Sequence, residues 1–234
     1  MTFEDRSSDS PLIERVWRCR GNGGGPFLSV AAAHPELVVT RIADLTMATL
    51  RGPETQATPI VCPPNGEWVA IRFRLGVYFP GLATRRLLDR QDLNLPVRGD
   101  DSFWLADSFW ELPDFETAEA LVIRLARRGV LAVDPAVTAV LRGDHQALTV
   151  RSVQRHFQRA TGMTHGMFRQ IERARHATNL LRAGTPILDT VHEAGYFDQA
   201  HLSRSLKRLV GQTPAQILRR ENQLSFLYKT DRRS

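Results

Sequence analysis

The stretch from Gly184 to Pro214, GTPILDTVHEAGYFDQAHLSRSLKRLVGQTP, restricts the fold more than any other part of the chain. Pro186 suits a first helical position, where a missing N–H leaves nothing unpaired. Ile187, Val191 and Ala194 then recur at three- and four-residue spacing, so one face of a short helix is apolar. Gly195 stands where that helix must stop in a left-handed conformation. Tyr196 and Phe197 carry the turn, and Asp198 is placed as N-cap of a second helix. In the second helix Leu202, Leu206 and Leu209 form the inward stripe, which leaves Gln199, Ala200, Ser203, Arg204 and Lys207 pointing outward. Gly211 ends it, and Thr213-Pro214 caps and starts another. The pattern is a helix-turn-helix. Its outward residues suit DNA: arginine forks onto guanine, glutamine pairs with adenine, lysine and serine bind phosphate, and alanine lets the helix lie deep in the major groove.

The segment GYFDQAHLSRSLKRLVGQTPAQI resembles the C-terminal signature of AraC/XylS-type bacterial transcription regulators, with aromatic residues after the turn glycine, a polar helix, a basic pair and then G-x-T-P. The resemblance runs back to about Leu148. Short amphipathic helices around a glycine also occur in ordinary helical cores, but here the glycine, the caps, the apolar stripe and the G-x-T-P agree in register.

Charge supports the same partner. From His145 to Ser234 there are 15 Lys+Arg against 6 Asp+Glu, a balance of +9, whereas residues 1–144 carry −3. A basic C-terminal part fits double-stranded promoter DNA, with phosphate neutralisation supplying sequence-independent affinity. No apolar run reaches the ~20 residues that span a membrane. The opening MTFEDRSSDSPLIE has no apolar core of a secretion signal, so a cytoplasmic location is expected. Cys19 and Cys62 fit no metal spacing and no disulfide in a reducing compartment.

The first dozen residues are polar and are expected to fray, with structure beginning near Leu12. Up to Thr117 the chain reads as short strands, among them Leu37 to Ile42, Thr46 to Arg51 and Trp68 to Leu75. Turn signals at Gly52-Pro53, Pro63 to Gly66, Pro80-Gly81 and Gly99-Asp100 separate them. Such spacing suits a small sandwich, barrel or jelly roll. The family resemblance implies a jelly-roll, cupin-like sensor of small molecules. Between Pro35 and Asp144 there is no histidine, so no metal site and no cofactor are expected there. Trp68, Tyr78, Trp104 and Trp110 are candidates to line an apolar ligand pocket, and equally candidates for core; Phe73 and Phe79 are read as core.

From Asp114 the period becomes helical: Phe115, Ala118, Leu121, Val122 and Leu125 make one face, and Arg127, Arg128 and Gly129 close it. Asp134-Pro135 starts a shorter helix with Val137, Val140 and Leu141 inward, ending at Gly143. Thr149 caps VRSVQRHFQRAT, in which Val153, Phe157 and Ala160 pack and Arg151, Gln154, Arg155 and Gln158 stay exposed. This is read as a first recognition helix, although the linker Gly143 to Leu148 lacks the glycine turn usual in the family. Thr164 caps a long helix through Ala183. About 20 residues span about 30 Å, near the ~34 Å between successive major-groove faces, so one chain can present both recognition helices to consecutive grooves.

The expectation is an α+β protein with a β-rich sensory or regulatory domain at 1–113 and an all-α domain at 114–234 that holds two helix-turn-helix units. It is expected to be a sequence-specific transcription regulator controlled by a small-molecule effector, acting by occupancy and not catalysis, as a monomer or homodimer, with RNA polymerase as a further partner. The alternatives are a DNA-repair alkyltransferase-like protein carrying the same helical module, for which the contexts of Cys19 and Cys62 supply no nucleophile or zinc site, and an architectural DNA binder whose first domain dimerises.

Overall fold

The computed structural model describes residues 2–21, 25–89, 92–144 and 149–220. The chain runs β1 (Thr2–Ser7), β2 (Ile13–Arg20), β3 (Gly25–Ser29), β4 (Glu36–Ile42), β5 (Leu45–Arg51), β6 (Thr58–Cys62), β7 (Gly66–Phe73) and β8 (Val77–Tyr78). A 3-10 turn (Thr84–Leu87) leads to β9 (Leu93–Leu95), β10 (Val97–Arg98), β11 (Ser102–Leu105) and β12 (Ser108–Glu111). The helical part follows as α1 (Ala118–Arg127), a short β13 (Ala132–Val133), α2 (Pro135–Arg142), α3 (Val150–Thr161), α4 (His165–Arg182), α5 (Ile187–Glu193), α6 (Gln199–Leu209) and α7 (Pro214–Leu218). A β-rich region followed by helices is the α+β arrangement that the patterning predicts.

Two compact units are present. The first draws on the described residues within Met1–Gly24, Ala33–Pro53 and Pro63–His165, the second on those within Gly25–Ala32, Glu54–Cys62 and Gly166–Ser234. In the first unit a six-stranded antiparallel sheet runs in the order β1-β2-β7-β4-β5-β9. Val16, Ile71, Leu37 and Leu50 lie in one cross-strand row, and Val69, Val39, Ala48 and Leu95 in the next row on the same face. Side chains of alternate residues share a face, so these rows make the sheet's inner surface. Phe73 and Phe79 meet edge to face at 5.6 Å within that core, as expected of them. The inward stripe of α1, Ala118, Leu121, Val122 and Leu125, is buried in the same cluster. Each such side chain removed from water stabilises the unit by roughly 1.5–3 kcal/mol.

Thr2–Ser7, expected to fray, form a paired strand. β1 pairs with β2 along its whole length, from Thr2 opposite Arg20 to Ser7 opposite Arg15. Its polar residues have partners that a local reading could not supply: Asp5 pairs with Arg15, Glu4 with Arg18 at 2.6 Å, and Arg6 with Glu119 of α1. Leu141, expected inward, is 43% exposed; α2 is only two turns long and seats Val137 and Val140 alone.

The second unit combines α4–α7 with a two-stranded ribbon of β3 and β6, which lie far upstream in the chain. The ribbon meets the C-terminal end of α6: Ala31 N–H donates to the Leu209 carbonyl and Ala57 N–H to the Arg208 carbonyl, each at 2.8 Å. These are carbonyls that a helix end leaves without an intrahelical donor. Gly211, left-handed at φ +80°, lets the ribbon come close, since a Cβ there would lie 3.2 Å from Ala57 and Leu28.

Candidate nucleic-acid interface

The second helix-turn-helix forms as its caps dictate. Pro186 stands at the N-cap of α5, one residue earlier than the expected first helical position. Gly195 takes the left-handed turn at φ +68°, and the Asp198 carboxylate accepts the His201 N–H at 2.6 Å to start α6. Tyr196 fills the space between the two helices: it is buried, its hydroxyl shares a hydrogen bond with Ser205 Oγ at 3.1 Å, and its ring meets His201 edge-on at 5.1 Å. Arg173 of α4 stacks on the Tyr196 ring at 4.6 Å. Beyond α6, Thr213 and Gln216 form a reciprocal capping box that fixes α7.

With Leu202, Leu206 and Leu209 buried, α6 exposes Gln199, Ala200, Arg204 and Lys207, while Ser203 is half-buried. The Lys207 ammonium rests 3.3 Å from the Gly211 carbonyl. These residues occupy one face of an eleven-residue helix, which is enough to reach base edges and phosphates.

α3 is built the same way. Thr149 Oγ1 accepts the Ser152 N–H at 3.2 Å, Gly162 closes the helix at φ +74°, and Val153, Phe157 and Ala160 are buried. A side chain at position 162 would lie 3.1 Å from the Thr84 carbonyl, so only glycine lets the helix end seat on the 3-10 turn. Arg151, Gln154, Arg155 and Gln158, at helical spacing, line a groove of about 440 Å³ together with Thr149 and Ser152. The linker features noted for residues 145–148 lie outside the described residues.

Behind α3 lies a feature that the sequence reading missed. The Asp134 carboxylate is fully buried; it accepts the Ala136 and Val137 N–H groups as N-cap of α2, and its Oδ2 lies 2.9 Å from His156 Nδ1 and 2.7 Å from Arg159 Nη2 on α3. Burial alone would raise its pKa, but the hydrogen bonds from His156 and Arg159, together with the His156 charge and the Val137 N–H, outweigh it and hold the carboxyl below the ordinary value. Arg159 also stacks over Tyr78 at 5.5 Å. The Asp-Pro start of α2 was legible; the partners 22 and 25 residues on were not.

The aromatic candidates separate. Trp104 and Trp110 line one surface cleft of about 650 Å³ with Phe109, Arg124, Arg127 and Arg128. Trp104 meets Phe109 edge to face at 4.8 Å, while the buried Trp110 spends its indole N–H on the Leu105 carbonyl at 2.9 Å. Trp68 instead covers Gly66 and Gly21, and Tyr78 lies in β8 beneath Arg159. Among the described residues no group of three or more His, Cys, Asp or Glu is placed to hold a metal ion, and no helix is long and apolar enough to cross a membrane.

Residues 144–220 match a family model described as a helix-turn-helix domain. No curated protein and no solved structure matched the chain. The capped helices α3 and α6 with their polar outer faces, the G-x-T-P that follows α6 and the family match over the same residues lead to one conclusion: residues 144–220 form a helix-turn-helix domain of the AraC type, the module of a DNA-binding transcription regulator.

Proposed function

We propose that the protein is a sequence-specific regulator in which α3 and α6 both read bases of one promoter site, under the control of a small molecule bound by the β-rich part. The observation that carries this reading is the pair of helices with Arg and Gln on their exposed faces, Arg151, Gln154 and Arg155 at i, i+3, i+4 spacing on α3, and Gln199 and Arg204 on the outward side of α6. The +9 balance after His145 supports a polyanion partner. The division of labour follows the sequence boundary, with 1–113 regulating and 114–234 binding DNA. RNA polymerase is the expected further partner, on a protein of the cytoplasm that works as a monomer or homodimer.

The effector site we assign is the cleft of Trp104 and Trp110. Its rings offer flat apolar surface, and Arg124, Arg127 and Arg128 outnumber Asp107 and Glu111 on its walls. An aromatic carboxylate combines both complementary features. Against the alkyltransferase reading, Cys19 is buried and burial pushes the Cys62 thiol up, the opposite of an activated nucleophile.

Selection of binding sites from a random duplex library, followed by titration against the selected site at several salt concentrations, tests the proposal. A defined sequence with a salt-dependent affinity is the expected result; binding of all duplexes alike would favour an architectural role.

A further inference from the structure

The two most exposed large apolar side chains among the described residues are Phe197, 90% exposed, and Val150, 77% exposed. Both stand at the N-terminal end of a helix with a polar, base-reading face. Phe197 directly precedes Asp198, the N-cap of α6, and Val150 directly follows Thr149, the N-cap of α3. Neither side chain can turn inward. Tyr196 already fills the space beneath the α5–α6 turn, and the inward stripe of α3 begins only at Val153. A phenyl ring or a branched aliphatic group left in water forgoes the stabilisation of burial, so both are placed for something that comes to them.

The neighbours of each narrow what that is. Gln199 and Ala200 follow Phe197, and Arg151 follows Val150, all exposed; the set continues the face that meets the major groove. Base edges there present hydrogen-bonding groups and one apolar group, the C5-methyl of thymine. We propose that Phe197 and Val150 are specificity-determining residues that read thymine through its methyl group, one at each recognition helix. The proposal rests on α3 and α6 being the recognition helices.

Replacement of single thymines by deoxyuridine tests it, because the change removes the methyl and leaves the hydrogen-bonding edge intact. Sites selected by the full-length protein would be scanned in this way with the wild type, Phe197→Ala and Val150→Ala. The wild type should lose affinity about fourfold, the equivalent of one buried methyl group, at two separate places in the site. Phe197→Ala should be insensitive at one of them and keep the loss at the other, and Val150→Ala should do the reverse. Both positions are on the surface, so the variants should unfold at the wild-type temperature. Deoxyuridine effects that are the same in all three proteins overturn the proposal. So do variants with unaltered DNA affinity that fail only in transcription with purified polymerase, a result that assigns the side chains to a protein contact. A wild type that selects no sequence at all overturns the recognition-helix reading, and this proposal with it.

Discussion

The carboxylate of Asp134 accepts N–H groups of α2 through one oxygen and side chains of α3 through the other, so a single buried residue fixes the angle at which α3 leaves the protein. Asp134→Ala removes the cap and both pairings and should lower unfolding free energy by about 2–4 kcal/mol in denaturant titration. Asp134→Asn retains a cap and should cost less, yet still weaken DNA binding wherever α3 contributes. The pH dependence has a defined sign. The folded carboxyl titrates below the ordinary ~3.9, so its stabilisation is present above that value and is lost as pH falls through the lower folded one. The stability gap between wild type and Asp134→Asn should therefore close as the solution is acidified below about pH 4, measured by urea midpoints. The Arg159 guanidinium and the His156 imidazole are the titratable and charged groups that face the carboxylate.

Elements show which parts of the fold a sequence displays. Asp198, Thr149, Thr213, Gly195 and Gly211 were readable because a cap or a left-handed turn depends on residues within a few positions. The pairing of β1 with β2 and of the β3–β6 ribbon with α6 was not, since the polar β1 carries little periodicity and the short, proline-containing β3 and β6 meet α6 only far downstream in the chain. The outward residues of α3 and α6 were legible for the same local reason, whereas the partners of Asp134 and the exposure of Phe197 depend on tertiary packing. Arg204→Ala and Arg155→Ala should each cost about 1–3 kcal/mol in affinity and relax one base position, the two positions lying about 10 base pairs apart if α4 spaces the helices for consecutive grooves. Lys207→Ala should weaken all sequences alike and flatten the salt slope by about one unit. An Arg155→Ala variant with unchanged affinity and preference would remove α3 from recognition and make specific binding depend on a dimer.

At the scale of the whole molecule, the cleft of Trp104 and Trp110, with Arg124, Arg127 and Arg128 on its walls, predicts a response to anionic aromatic compounds. A ligand there should raise the melting temperature by preferential binding to the folded state and alter tryptophan fluorescence, and Trp104→Ala should abolish both. A broad metabolite screen with no shift in either would return these tryptophans to a structural role. The ribbon carries a different consequence, one of transplantation. A transplant of the DNA-reading segment cut at one point in the chain meets an obstacle, because residues 25–32 and 54–62 belong with α6 while residues 33–53 between them belong to the sheet. A chimera cut once, at residue 114, would carry α6 away without the strands that satisfy the carbonyls of Arg208 and Leu209. Its graft should melt earlier than the parent, and a graft that brings its own ribbon along should not.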